Sequence, residues 1–532
     1  MMMPLKKVLS LIVYVSMLCA LSAQQYNYPI NNYHQTYLEL GQSRMDSVTL
    51  TGLRALPESW MRLDSVWGYE PVPPKMYSAF SAAILRDHHV TIEKEELKLY
   101  IDFLINFELG TEQRKETAYA DTTRFSRNMR GFSVKGELGK KVSFETTFRE
   151  DQTTYPWYLL NRIRNSVFAN DGASGVAPGG GRIKFNSIKG ADNSIAEGYI
   201  SYSPVKAVNI QFGHQKNFIG SGYRSLLLSD NAYTYPQLKM TGRFMKNRLY
   251  YQSIMGSMSG LRRLPMGDTP EALFRRKGVS FHYLEFRPHK RVSLGLFEAV
   301  VWQRFDVEVG TVPNPVERYV PLLGLNTALN GLESTHNSII GLDLGVKINR
   351  GIQLFGQYVM DAEDQTGYQV GIKTADLFVR NLRVQAEYNS VDPFTYAHPL
   401  SLQSYTHLNQ GIAHPRGAGV NEASIGVMYL YDRWFADIRY TAGDQLLDLP
   451  DSTNIGSNVN LPEDFEGTFE PQTRSQSNYV LTKLGYMLNS KSNFNFYVSW
   501  LYRDETGPLT YGNNSLISFG LSMNMHNRYE DL

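Results

Sequence analysis

Cysteine is all but missing from this chain: its 532 residues include one, Cys19, so neither a disulfide framework nor a thiolate metal site can be built. Long apolar runs are missing too. Beyond residue 23 nothing approaches the roughly 20 residues that a membrane helix needs. That excludes a helical membrane bundle but not a barrel, whose lumen-facing residues are polar. A mean hydropathy of −0.32 suits a soluble protein or such a barrel equally. Charge of one sign is not in excess, with 53 Lys and Arg against 51 Asp and Glu, so nothing invites a nucleic-acid partner. Catalytic signatures are absent as well: no HExxH, no Walker loop, no GxSxG and no paired-cysteine motif occurs. The sequence therefore implies no enzyme, no cofactor and no metal.

What is present begins with Lys6 and Lys7, an apolar run from Val8 to Cys19, and the small-residue stretch Ala20-Leu21-Ser22-Ala23 before polar Gln24. This is the layout of a secretory signal peptide cleaved after Ala23, too short to serve as a membrane anchor. Leu18 stands before Cys19, where a lipoprotein signal usually carries a small residue. Residues 24–94 read as a separate periplasmic or plug-like module, with helical turns over Tyr37–Gly41 and Met76–His89 and a link through Pro71, Pro73 and Pro74.

At Leu97 the pattern changes. Leu97, Leu99, Ile101, Phe103, Ile105, Phe107 and Leu109 fill the odd positions, while Lys98, Asp102, Asn106 and Glu108 fill most even ones. Period two over this length means an extended strand, long enough to cross a membrane at a tilt. The same alternation returns at Val142–Arg149, Val292–Leu296, Leu342–Ile348, Ile352–Tyr358, Leu382–Tyr388, Phe494–Trp500 and Ile517–Met525. The turn Asn349-Arg350-Gly351 predicts a tight antiparallel hairpin. With 34 Tyr, 26 Phe and 43 Gly, composition matches short β-segments, glycine turns and aromatic girdles. Residues 95–532 therefore predict an all-β outer-membrane barrel of roughly 16 to 18 antiparallel strands, at about 25 residues per strand and connection. Polar excursions at Ala169–Arg182, Val309–His336, Pro393–Asn421 and Thr441–Ser477 fit a barrel with long loops at one end.

Some chemistry-like stretches read more simply. Gly220-Ser221-Gly222 has Ser225 where a dinucleotide fingerprint needs its third glycine, so it reads as a turn or a close backbone approach. The glycine-rich 169–182 stretch reads as a mobile loop. The acidic run between Arg439 and Arg474 lacks the spacing of a calcium loop and reads as a solvated loop. Two segments stand apart: Gly213–Ala232 and Tyr405–Ala418 concentrate amide, imidazole, guanidinium and hydroxyl groups beside aromatics. That mixture hydrogen-bonds and stacks on sugar rings, and it equally suits a lumen plug whose polar groups satisfy one another.

At Lys216–Ala232, and at His407–Ala418 with Asn421 and Glu422, the sequence resembles the Bacteroidota outer-membrane proteins of the Wzi capsule-assembly type, which include the gliding-motility protein RemB. The resemblance implies a barrel of about 18 strands with periplasmic helices, acting as a non-enzymatic binder of surface polysaccharide, with outer-membrane lipid and polysaccharide as partners. Candidate binding residues are then Tyr223, Arg224, Asp230, His407, Asn409, His414 and Arg416. Two other functions fit a barrel: a motility or adhesion component contacting surface proteins through its long loops, and a passive pore. The final residues, Tyr529-Glu530-Asp531-Leu532, depart from the terminal aromatic that barrel-insertion machinery commonly recognises.

Overall fold

In a computed structural model the described residues are 26–45, 51–61, 75–114, 124–164, 175–187, 189–264, 273–306, 310–312, 315–332, 336–446, 456–460, 474–507, 512–523 and 527–532. The expected signal peptide and most of the acidic run lie outside them.

One antiparallel sheet of 20 strands dominates, and two of its members are short additions alongside a closed cylinder. The cylinder strands are β1 (Leu97–Arg114), β2 (Arg124–Leu138), β3 (Val142–Thr154), β4 (Gly190–Val205), β5 (Val208–Gln215), β6 (Tyr235–Phe244), β7 (Leu249–Arg263), β8 (Phe274–His289) and β9 (Val292–Gln303). They continue as β10 (Asn337–Lys347), β11 (Ile352–Asp361), β12 (Thr366–Ala375), β13 (Leu382–Val391), β14 (Val420–Tyr431), β15 (Trp434–Leu446), β16 (Arg474–Asn489), β17 (Phe494–Thr506) and β18 (Asn514–Met523). Each pairs with its sequence neighbours, and β1 pairs with β18 from Asn106↔Ser522 to Arg114↔Asn514, which leaves no open edge. Closure is what the bilayer demands, because an unpaired strand edge in hydrocarbon has no water to bond.

Alternation sets which face meets lipid. In β1 Phe103, Phe107 and Leu109 are exposed, whereas Asp102, Asn106, Glu108 and Glu112 are buried toward the lumen. The apolar stripe legible in the sequence is thus the outer face. Ile200, Phe212, Leu344, Ile425, Leu484 and Phe519 extend it around the wall. Exposed Tyr431 and Trp434 flank the tight β14–β15 turn, and Tyr368 and Tyr388 pair across β12 and β13 near the opposite end, where interfacial aromatics are expected. The β10–β11 hairpin is as tight as its Asn-Arg-Gly sequence requires, with Ile348 N–H donating to the Ile352 carbonyl at 3.0 Å.

Connections alternate in length, giving a short-turn rim and a long-loop rim. The lumen between them is filled. From the short-turn side enters α1 (Asn32–Ser43), capped by Asn31 Oδ1 accepting the His34 N–H at 2.9 Å. Its Glu39 lies 2.6 Å from Lys373 Nζ and also pairs with Arg383, and Arg44 pairs with Asp376. Burial works to raise the Glu39 carboxyl, but Arg383 and Lys373 outweigh it and hold it at about 2. A second helix, α2 (Ala79–Leu85), sits by Asn489, whose Nδ2 donates to the Ile84 carbonyl at 3.1 Å. From the long-loop side, residues 216–234 fold inward until they meet residues 51–56, and Gly220 N–H donates to the Gly52 carbonyl at 2.7 Å. This is the close backbone approach expected of Gly220: its φ is +133° and a Cβ there would lie 2.3 Å from Gln357 Nε2.

Leu226, Leu227 and Leu228 are fully buried, packed with Leu53, Leu56, Tyr396, Tyr405 and Ile412 against wall residues Ile254, Val279, Phe281, Ile339 and Val359. Each such leucine contributes about 1.5–3 kcal/mol, so the interior is a hydrophobic core as well as a polar lumen. A second cluster on the opposite wall joins α3 (Trp157–Arg164) to Tyr223, Tyr479, Leu501, Tyr529 and Leu532.

Candidate functional site

Three of the seven candidate residues converge on one carboxylate, and a fourth, Tyr223, reaches a second one beside it. Glu422, on the lumen face of β14, accepts from Arg224 Nε at 2.7 Å and Nη2 at 3.0 Å. Arg416 Nε lies 3.2 Å from its other oxygen, and His414 Nε2 lies 3.5 Å away. Asp531 forms the second anionic centre, 3.1 Å from Arg224 Nη2, and accepts the Tyr223 hydroxyl at 3.2 Å and the Thr441 hydroxyl at 2.9 Å. The Arg439 guanidinium lies over the Tyr223 ring at 3.5 Å. Glu387 accepts the backbone N–H groups of both Tyr223 and Arg224, fixing the turn that carries them. Arg224 and Glu422 side chains are 0% exposed. Burial pulls the His414 imidazole down, against the pull of Glu422.

Asp230 lies at the edge of this assembly. Its carboxylate accepts from Tyr529 at 2.6 Å and from Asn527 Nδ2 at 3.0 Å, and its carbonyl accepts from Lys216 Nζ at 3.0 Å. Tyr529 in turn packs on Tyr223 at 5.4 Å. His407 and Asn409 lie elsewhere, in a small hairpin of Thr406–His407 with Gln410–Gly411 held against β7. Ser259 N–H donates to His407 Nδ1 at 3.1 Å, and His407 Nε2–H donates to the Thr234 carbonyl at 3.2 Å. Asn409 Oδ1 accepts the Leu261 N–H at 3.4 Å. With one ring nitrogen accepting, His407 is neutral, and burial takes it down to about 4.

The candidate residues therefore bond one another and the chain. Residues 527–532, which follow β18, run inside the lumen and supply much of this bonding: Arg127 pairs with Glu530, Tyr158 hydroxyl donates to the Glu530 carbonyl at 2.7 Å, and Arg503 Nη2 donates to the Leu532 carbonyl at 3.1 Å. Glu422 stood in the sequence only as part of the resembling stretch, with no local pattern for its role or for this inward path; the buried run Leu226-Leu227-Leu228 shows in the structure that its own segment is interior.

Open space remains beside the cluster. A cavity of about 160 Å³ lies among the start of α1, residues 527–531 and the walls of β14–β18, with Tyr223 and Arg439 on its border. A smaller one of about 110 Å³, bordered by Asp230, lies between residues 27–30 and the β2–β5 wall. No group of residues able to hold a metal occurs among the described residues.

No family model matches the chain, and no curated protein matches it. Solved structures do. Wzi of Escherichia coli, described as an outer-membrane protein involved in group 1 capsule assembly and a carbohydrate-binding β-barrel, aligns at a TM-score of 0.56 with 12% identity, covering 93% of this chain and 98% of that one. The fold is thus that of an outer-membrane β-barrel. OprD of Pseudomonas aeruginosa aligns at 0.41 and 9% identity over 84% of this chain and 98% of its own. OccK3 of the same organism aligns at 0.42 and 10% identity over 80% and 94%.

Proposed function

We propose that this barrel binds and organises polysaccharide at the cell surface, holding the glycan rather than cutting it. The observation that carries the reading is the filled lumen: loops from the long-loop rim fold inward and pack the cylinder with a hydrophobic core and a buried ion cluster. A barrel of this strand number left empty would enclose an aqueous channel; filled, it makes a rigid platform. Short turns face the periplasm in such barrels, so the long-loop side faces out. The carbohydrate-binding barrel Wzi shares the fold over nearly its whole length, which supports the same role here. In this reading Tyr223, Arg224, Asp230, His414 and Arg416 serve binding from within, by fixing the plug, while His407 and Asn409 pin the hairpin nearer the loop rim.

The test pairs two measurements on detergent-folded protein whose heat-modifiable gel migration shows a closed barrel. Retention of purified capsular polysaccharide on immobilised protein, with no steady ion conductance in a planar bilayer, is the expected result. Steady conductance without retention would overturn the binding role in favour of a passive pore.

A further inference from the structure

The larger lumenal cavity is a place where side chains have bonding capacity left over. Asn31, Asn106 and Arg127 all border it, and each is buried, with exposures of 4%, 4% and 6%. Yet Asn31 Nδ2, Asn106 Oδ1 and Arg127 Nε have no hydrogen-bond partner among the described residues. Polar atoms withdrawn from water without a partner cost about 1–3 kcal/mol each, and three around one cavity call for an occupant.

Their chemistry limits what it is. Two donors and one acceptor suit groups that both give and take a hydrogen bond, which is what a hydroxyl does. The forked end of Arg127 is already spent on Glu108, at 3.0 Å, and on Glu530, so the guanidinium offers a single N–H and not a bidentate anion cradle. Tyr33 on α1 and Phe435 on β15 meet edge to face at 5.8 Å along the same border, giving an aromatic surface for a sugar ring. Asp437, half-buried on the border, adds an acceptor. At roughly 30 Å³ per water, about 160 Å³ holds on the order of five waters, room for one compact sugar ring in their place. Phe435 adjoins the tight β14–β15 turn, so the site belongs to the short-turn half, beneath the plug and away from the surface loops.

We propose that this cavity is a second sugar subsite, taking one neutral hexose-type residue from the periplasmic side. It rests on the reading that the barrel handles polysaccharide, and it adds that the chain meets sugar from inside the cell envelope as well as outside.

Met428 also borders the cavity, and its methyl group reports occupancy in the unmodified protein. The experiment titrates ¹³C-methyl-methionine-labelled full-length protein with glucose, galactose and N-acetylglucosamine, the Met428 signal being assigned with Met428→Leu. Capsular polysaccharide retention is measured in parallel, and inorganic phosphate serves as the anionic probe. Expected is a saturable shift of the Met428 signal with at least one sugar, weakened at least tenfold in Tyr33→Ala and in Asn106→Leu, with surface retention unchanged. Asn106→Leu alters the wall, whereas Tyr33→Ala lies on α1, so a folding defect in one leaves the other informative. A silent Met428 with polysaccharide still retained overturns the subsite and leaves the surface role standing. A silent Met428 without retention overturns both. A shift with phosphate and none with sugar makes the cavity an anion site and overturns the proposal.

Discussion

Arg224 shows why a residue rich in recognition chemistry can be entirely consumed by its own protein. Its partners Glu422 and Asp531 lie 198 and 307 positions away, so no local pattern could reveal that the guanidinium is fully paired. Breaking a buried pair leaves the surviving charge stranded. Arg224→Met is expected to cost about 3–5 kcal/mol, read as a lower temperature for the loss of folded-barrel gel mobility. An unchanged transition would show that the cluster does not hold the plug. His407 carries a pH signature. Its value is about 6.5 when unfolded and about 4 in the fold, so the unfolded chain binds the extra proton first, and stability falls as pH drops from 6.5 toward 4. Thermal melts over that range are expected to show a shallower loss in His407→Asn than in the parent chain.

Among the strands, period-two alternation made both the membrane faces and the β10–β11 hairpin legible, because lipid outside and polar lumen inside demand it along every wall segment. Leu344, exposed on the outer face of β10, tests that assignment. Leu344→Arg is expected to destabilise the barrel by about 2–4 kcal/mol if it sits near the bilayer midplane, measured by chemical unfolding in lipid vesicles. A neutral effect would mean that the face meets water or protein. Two helices were legible in kind but not in extent, and α3 was not read at all: Tyr37–Gly41 grew to Asn32–Ser43, because the Asn31 cap adds a turn before the apolar residues begin, while Met76–His89 shrank to Ala79–Leu85. Gly213–Ala232 read as sugar chemistry or as a plug, and sequence could not choose, since an inward loop and an outward one use the same amides and hydroxyls. The choice was made by Leu226-Leu227-Leu228, which only a dry interior accommodates.

At the scale of the molecule, the barrel was legible and its filling was not, because the plug is assembled from segments far apart in the chain. Residues 26–61 pack into the cylinder through Asn27, Glu39, Arg44 and Arg54. Their deletion is expected to raise steady conductance in a planar bilayer above that of the parent chain, provided heat-modifiable migration shows that the cylinder still closes. A silent deletion variant would mean that the inward loops and residues 527–532 suffice as the seal. The placement of residues 527–532 also couples the seam to the interior. They follow β18, the strand that zips to β1, yet they lie inside the cylinder, threaded among Arg224, Arg127 and α3. Wall and contents therefore share one set of anchors: the segment that continues from the closing strand is tied to the same charges that hold the plug, so loosening the interior loosens the seam.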